Sequence, residues 1–178
     1  LSDSLNISKE ELILNLKDKI NTRSYKKFLI KINRRKKKEP IAYILKNKEF
    51  WNNKFYVDKN VLIPRPETEL LIDIIIDMKL NPKHILELGT GSGAISIALM
   101  KNFPKAKCIA TDINLNSLEL AKRNAKKNHV LKQINFICCN WLDIFVNFEF
   151  DIILANPPYI KTEVIKKYYQ LNTHLTLS

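Results

Sequence analysis

Glycine, cysteine and histidine are scarce in this chain of 178 residues, with three of each against thirty lysines and arginines. The cysteines, Cys108, Cys138 and Cys139, show no C-x-x-C spacing, and His84, His129 and His174 stand singly. No clustered ligand set exists, so no metal site is expected. An odd, sparse cysteine count excludes a disulfide framework and fits a reducing, cytoplasmic setting. Cys138 and Cys139 are neighbours on an expected strand, point to opposite faces, and read as small buried hydrophobes. The longest apolar run, residues 70–76, is broken by Asp73 and is too short to cross a bilayer. The first residues are mixed and polar, with no signal-peptide pattern. Leu1 rather than methionine opens the chain, which suggests a start inside a longer product.

What is present is enough for a core. At 46% hydrophobic and 9% aromatic residues the chain is not generally disordered. Its length suits one ordinary domain, or a small module plus a partial one. The net charge of +12 invites a nucleic-acid reading. Most of the basic residues are lysines spread along the chain; the one real cluster is Arg34-Arg35-Lys36-Lys37-Lys38. Cations at a helix C-terminus are favoured by the macrodipole, so a solvated helix end explains that cluster. Contact with RNA or an acidic partner is the alternative.

Three zones follow one another. Residues 1–45 read as a helical segment: Ser8-Lys9-Glu10-Glu11 forms a capping box ahead of Leu12, Leu16 and Ile20 on one face. A second helix starts near Ser24, carries Phe28 and Ile32, and ends in the basic cluster. Pro40 then opens a short turn through Ile41, Tyr43 and Ile44. Residues 46–66 read as a hairpin and a proline-rich linker. Asn52-Asn53 supplies the tight turn between Glu49-Phe50-Trp51 and Lys54-Phe55-Tyr56-Val57. Leu62-Ile63-Pro64-Arg65-Pro66-Glu67-Thr68-Glu69 is extended, and Pro66 or Glu67 starts a helix bearing Leu70, Leu71, Ile74, Ile75 and Met78.

Residues 67–178 alternate strand and helix, which predicts an α/β fold with a parallel sheet and crossover helices. Strands are expected at 84–88, 108–112, 134–138 and 151–155, with helices after 93 and over 115–128. In such sheets ligands bind beyond the carboxyl ends of the strands. The Gly89-Thr90-Gly91-Ser92-Gly93 bend, Asp112, Asn140-Trp141 and Asn156 all fall on that rim.

Glycines at 89, 91 and 93 let the backbone turn sharply and approach a ligand where a Cβ would collide. The spacing is G-x-G-x-G, not the G-x-G-x-x-G of the dinucleotide fingerprint, so alone it is compatible with several ligands or with none. Asp112 ends the next strand, where a carboxylate accepts both hydroxyls of a ribose; capping the following helix is the other role open to it. Asn156-Pro157-Pro158-Tyr159 is the most specific signal. Two prolines rigidify the turn and remove two donors, leaving carbonyl groups to accept. The Asn156 side-chain oxygen and the Pro157 carbonyl suit the two N–H bonds of one planar NH2 group, and Tyr159 stacks on its plane. Catalysis of that kind is positioning and electrostatics rather than strong base chemistry.

The glycine bend, Asp112 and Asn156-Pro157-Pro158-Tyr159 together resemble class I Rossmann-like methyltransferases. The stretch from Glu39 to Phe50 and the Ile63-Pro64-Arg65-Pro66-Glu67-Thr68-Glu69 segment are similar to the release factor glutamine methyltransferase family. That resemblance covers residues 39–160. It implies S-adenosylmethionine as cofactor and N5-methylation of the glutamine in the Gly-Gly-Gln loop of peptide chain release factors. By the same resemblance Gly89, Thr90, Gly91, Ser92 and Gly93 line the methionine moiety, and Asp112 binds the ribose. Asn140 and Trp141 lie at the adenine, Asn156 faces both methyl donor and glutamine, and Pro157, Pro158 and Tyr159 complete the substrate pocket. Nucleic-acid contact is not required, and no membrane association is implied.

The pattern departs from that family in three respects. Asn140 stands where the family carries an acidic residue, so the adenine amino group gains an acceptor without charge assistance, and weaker cofactor affinity is expected. The family's N-terminal bundle is longer than residues 1–45, and three further strands follow the tyrosine in the family. A chain truncated at both ends is therefore expected, holding the first four parallel strands of the sheet. Its fourth strand would be an exposed apolar edge with Ile152, Ile153 and Leu154 uncovered on one side. Two further readings stand beside this one: an N6-adenine DNA or RNA methyltransferase, which also uses Asn-Pro-Pro-Tyr, and an inactive product of a truncated gene.

Overall fold

A computed structural model describes residues 1–141 and 148–156. Short helices open the chain: α1 (Ser2–Leu5), α2 (Lys9–Leu14), α3 (Thr22–Lys36) and α4 (Ile41–Leu45). The capping box of α2 forms as its sequence predicts: Ser8 Oγ accepts the Glu11 amide at 3.0 Å and Glu11 Oε2 accepts the Ser8 amide at 2.8 Å. The helix is shorter than its apolar spacing suggests. The Asn15 side-chain amide donates to Glu11 O at 2.9 Å and closes the last turn, so Leu16 and Ile20 lie beyond it, 73% and 41% exposed. Helix α3 starts slightly earlier than expected, because Asn21 caps it: Asn21 Oδ1 accepts the Ser24 amide at 2.9 Å. The basic cluster does end this helix, and its first member is taken up internally, with Arg34 Nε donating to Glu39 Oε2 at 2.7 Å.

The linker hairpin pairs β1 (Lys48–Phe50) with β2 (Asn53–Phe55), antiparallel, with Phe50 opposite Asn53. Its turn is Trp51-Asn52, at φ 46° and 55°, one residue earlier than the Asn52-Asn53 expected from composition. In this register the rings of Phe50 and Phe55 lie on one side, 1% and 0% exposed and edge-on at 6.1 Å, and Asn53 is buried in the strand with its Oδ1 accepting from Lys101 Nζ at 2.5 Å.

Pro66–Thr68 forms a single 3-10 turn that runs into α5 (Glu69–Asp77). Of the apolar residues expected on it, Ile75 is buried and Leu71 packs against the core, whereas Leu70, Ile74 and Met78 are exposed and Ile72 is buried in their place. The helix is apolar nearly all round, so periodicity alone cannot choose its buried face.

The larger sheet has four parallel strands among the described residues, in the order β5-β4-β3-β6: β3 (His84–Leu88), β4 (Lys107–Asp112), β5 (Ile134–Cys138) and β6 (Ile152–Ala155). Helix α6 (Ala94–Asn102) connects β3 to β4 and is buried from Ala94 to Met100. Helix α7 (Leu115–Lys127) connects β4 to β5 and packs on both. The order puts the two strands with the strongest ligand signals, β3 and β4, side by side, with β6 on the far side of β3. Asp151 sets the β3–β6 register: its Oδ2 accepts the Lys83 and His84 amides at 2.7 and 2.8 Å. Those amides, His84's first, hold the carboxyl below the usual carboxylate range.

At the edge of the sheet among the described residues, β6 leaves Ile153 56% exposed, but Leu154 is only 6% exposed, so the expected bare strand is bare mainly at Ile153. The expectation of buried cysteines at 138 and 139 fails: Cys138 is exposed and Cys139 half-buried, because β5 is the other edge among the described residues and Cys139 already lies in the loop beyond it. No helix among the described residues is long and apolar enough to cross a membrane, and none of the described residues form a group of three or more His, Cys, Asp or Glu that could hold a metal ion.

Candidate functional site

The chain turns out of β3 through Gly89, Gly91 and Gly93, all at positive φ of 70°, 52° and 77°. One backbone bond ties the turn to the next strand and another closes it: Thr90 N–H donates to Thr111 O at 2.8 Å, and Gly93 N–H to Thr90 O at 2.9 Å. The glycines differ in purpose. A Cβ at Gly89 or Gly91 would meet nothing within 4 Å, whereas one at Gly93 would lie 3.1 Å from Ala121 Cβ and 3.2 Å from Ile97 Cδ1. Gly89 and Gly91 therefore face open space, and Gly93 lets α6 close against α7.

Asp112 ends β4 beside this bend. Its Oδ2 accepts the Gly91 amide at 2.9 Å and its Oδ1 accepts the Asn114 amide at 2.9 Å. Capping of α7 falls instead to Asn114, whose Oδ1 accepts the Asn116 amide at 2.9 Å. A carboxylate offers about four acceptor positions, so two remain on Asp112 for a ligand.

Beneath the bend lies Glu87, 2% exposed, which the sequence pattern places inside the glycine motif without giving it a role. Its Oε2 accepts Thr90 Oγ1–H at 2.7 Å, the Ser96 amide at 3.1 Å and the Ser96 hydroxyl. Burial pushes its carboxyl up to about 7; the bonds from Ser96 and Thr90 oppose that rise and the charge of Asp112 adds to it. Burial likewise pushes the neighbouring Cys108 thiol up to about 12, so it stays an unreactive thiol. The signal in the sequence is an acidic residue inside an otherwise apolar strand, where an unpaired charge would be too costly to keep.

A cleft of about 400 Å3 runs along the carboxyl ends of the strands. Gly89, Gly91, Asp112, Asn140, Trp141 and Asn156 all line it, and residues 60–62 of the linker form a wall. Trp141 is half-exposed there, with its backbone at φ 48°. A smaller adjoining cavity of about 60 Å3 is lined by Glu87, Thr90, Ser92, Arg65, Thr68 and Asn156, among others. Of the residues singled out from sequence, Gly93 alone of those described lines neither cavity. Pro157, Pro158 and Tyr159 lie outside the described residues.

Residues from the linker, which the sequence pattern does not assign to the site, complete the walls. Ser117 Oγ donates to Asn60 O at 2.9 Å. Asn124, fully buried, uses its whole amide: Oδ1 accepts the Tyr56 amide at 2.7 Å, and Nδ2 donates to Tyr56 O at 3.0 Å and Ser92 O at 2.9 Å. One side chain thus ties linker, helix and glycine bend together.

Comparison with known proteins is consistent with this geometry. The family model of the methyltransferase small domain matches residues 66–173, and that of the PrmC N-terminal domain matches residues 1–45. A "Bifunctional methyltransferase" of Rickettsia felis is 38% identical over 183 residues, covering 86% of this chain and 35% of its own length. A "Release factor glutamine methyltransferase" of Flavobacterium psychrophilum is 43% identical over 152 residues, covering 80% of this chain and 53% of its own length. The chain therefore spans about a third to a half of these relatives. Among solved structures, the tRNA (uracil-54, C5)-methyltransferase of Pyrococcus abyssi, in complex with S-adenosyl-L-homocysteine, superposes with a TM-score of 0.52. It is 20% identical, covers 63% of this chain and 28% of its own, and shows a shared fold.

Proposed function

Since this chain belongs to the methyltransferase small domain family, we propose that it carries the cofactor-binding part of a release factor glutamine methyltransferase. Its reaction is transfer of a methyl group from S-adenosylmethionine to the side-chain nitrogen of the glutamine in the Gly-Gly-Gln loop of peptide chain release factors. One observation carries this reading: Asn156 and the Gly89–Gly91 bend border the same cleft, with Asp112 further along it. The N-terminal match over residues 1–45 and the Flavobacterium relative support the choice of substrate over an adenine base.

The residues present fit the cofactor. Gly89 and Gly91 leave space where any side chain would intrude, and Asp112 keeps two free acceptor positions for ribose hydroxyls. Asn140 and Trp141 supply an amide acceptor and an aromatic face in the same cleft. When bound, the cofactor supplies an electrophilic methyl group on a sulfonium. The chain supplies position. Asn156 accepts one N–H of the substrate amide through its side-chain oxygen, and the Pro157 carbonyl accepts the other. The nitrogen lone pair then faces along the cleft, and the rate gain comes from orientation and fixed dipoles rather than from a strong base.

Incubation with S-adenosylmethionine labelled in its methyl group tests the reading. Label should appear on a release factor and disappear when the Gly-Gly-Gln glutamine is replaced by alanine. Label on an adenine-containing duplex instead would favour the N6-adenine chemistry and sink this assignment.

A further inference from the structure

The Ile63-Pro64-Arg65-Pro66-Glu67-Thr68-Glu69 segment marks the resemblance most sharply, yet the methyl-transfer reading leaves it without a task. Its last residues are fixed from two directions. The Thr68 amide donates to Arg65 O at 3.0 Å within the 3-10 turn, and Glu69 Oε1 accepts the Trp51 amide of the hairpin turn at 3.1 Å. From this anchored turn Thr68 reaches across 88 residues of sequence: Asn156 Nδ2 donates to Thr68 Oγ1 at 3.2 Å. Both residues are half-buried, and both line the small inner cavity and an outer one of about 160 Å3.

An asparagine amide has two unlike ends. Oδ1 accepts and Nδ2 donates, and a half-turn about the last side-chain bond exchanges them. An Asn156 that presented its NH2 to a substrate NH2 would set donor against donor. In this structure the Thr68 hydroxyl, which can accept or donate, accepts from Nδ2, and Oδ1 is left pointing the other way. We propose that Thr68 is a positioning residue for methyl transfer, holding Asn156 with its carbonyl oxygen turned toward the acceptor nitrogen. This rests on the methyl-transfer reading above. The segment thereby gains a function: Pro64 and Pro66 limit the backbone on either side of Arg65, Glu69 pins the turn to the hairpin, and Thr68 transmits that fixed position to Asn156.

Three chains decide it: the unaltered protein, Thr68→Val and Thr68→Ser. Valine matches threonine in shape and β-branching but cannot accept a hydrogen bond, while serine can. Thr68→Val should lower kcat for release-factor methylation about tenfold, the scale of one lost hydrogen bond in an orienting role. Its dissociation constant for S-adenosylhomocysteine should stay within about twofold, and Thr68→Ser should recover most of the rate. A second readout needs no turnover. In 15N-labelled protein the Asn156 side-chain NH2 pair, assigned by its loss in Asn156→Asp, should show one slowly exchanging, shifted proton. That signature should persist in Thr68→Ser and vanish in Thr68→Val. An NH2 pair unchanged by Thr68→Val overturns the proposal, as does a rate loss matched by an equal loss of cofactor affinity that serine fails to restore. Should the unaltered chain label no release factor, the substrate reading fails by itself, and the NH2 pair still decides whether Thr68 orients Asn156.

Discussion

Asp112 Oδ2 lies 2.9 Å from the amide nitrogen of Gly91, so the carboxylate that ends β4 also shapes the bend that ends β3. Its other oxygen holds the Asn114 amide. Asp112→Asn therefore removes a charge and sets an NH2 group against one of these N–H donors. The loss of a charge-assisted acceptor costs roughly 1.5–3 kcal/mol, or about ten- to a hundredfold in affinity. Titration calorimetry with S-adenosylhomocysteine should show a weakening on that scale. An unchanged dissociation constant would remove Asp112 from the cofactor site.

Gly91 and Gly93 should respond differently to the same change. Both are left-handed, so alanine at either costs about 1–2 kcal/mol of backbone strain. At Gly93 the new methyl also presses on Ala121 and Ile97, whereas at Gly91 it meets only the open cleft. Gly93→Ala should lower the melting temperature by more than Gly91→Ala. Gly91→Ala should lose more affinity for S-adenosylhomocysteine than its melting temperature alone suggests. Equal effects on both measurements would mean that the cleft beside Gly91 is not where the cofactor sits.

What is legible in the sequence follows from burial on one side or on two. β3 and β5 lie where their mainly apolar runs predict, although only β3 is buried along most of its length. The glycine bend, Asp112 and Asn156 come together because strand direction alone delivers all three to one rim. Less is legible where surfaces compete. Helix α5 is apolar nearly all round, so only the packing of Ile72 and Ile75 decides its buried face. The hairpin turn falls one residue early, and Asn53 is buried in β2 with its side chain bonded to Lys101 rather than exposed in the turn. Cys138 would be a core residue only if β5 were an inner strand, and it is an edge. Asn124 and Thr68 carry no signal at all: their partners, Tyr56 with Ser92 and Asn156, are distant in sequence, and an isolated amide or hydroxyl does not announce them.

Asn124 is the more costly of those two to remove. Leucine of similar size would leave the Tyr56 amide and the carbonyls of Tyr56 and Ser92 without their partner inside the protein. Each buried polar group stranded in this way costs about 1–3 kcal/mol, although water reaching the linker would lessen the sum. Asn124→Leu should lower the melting temperature by roughly 10 °C, taking about 3 kcal/mol at about 2–4 °C each. Differential scanning calorimetry measures it, and a drop below about 2 °C would show that the linker is not held through this side chain.

Glu87 gives the chain a pH dependence with a definite sign. Its carboxyl sits at about 7 in the folded state, against 4.5 for an ordinary glutamate. Below pH 4.5 both folded and unfolded chains hold this proton, and the group is neutral in its effect. As the pH rises toward 7, the unfolded chain releases the proton while the folded chain keeps it, so stability falls across that window and then levels off. Each pH unit between the two values is worth about 1.4 kcal/mol, so the full loss is on the order of 3 kcal/mol. Glu87→Gln is neutral throughout and retains an oxygen to accept from Thr90 and Ser96, so it should lack this slope. The melting temperatures of the two proteins, taken from about pH 4.5 to about pH 8, cancel the contribution of every other titrating group when subtracted. The difference should grow in favour of the glutamine variant up to about pH 7 and hold steady above it. A difference that stays level across the window would mean that Glu87 is already ionised beneath the glycine bend, with Thr90 and Ser96 stabilising its charge strongly enough to offset burial.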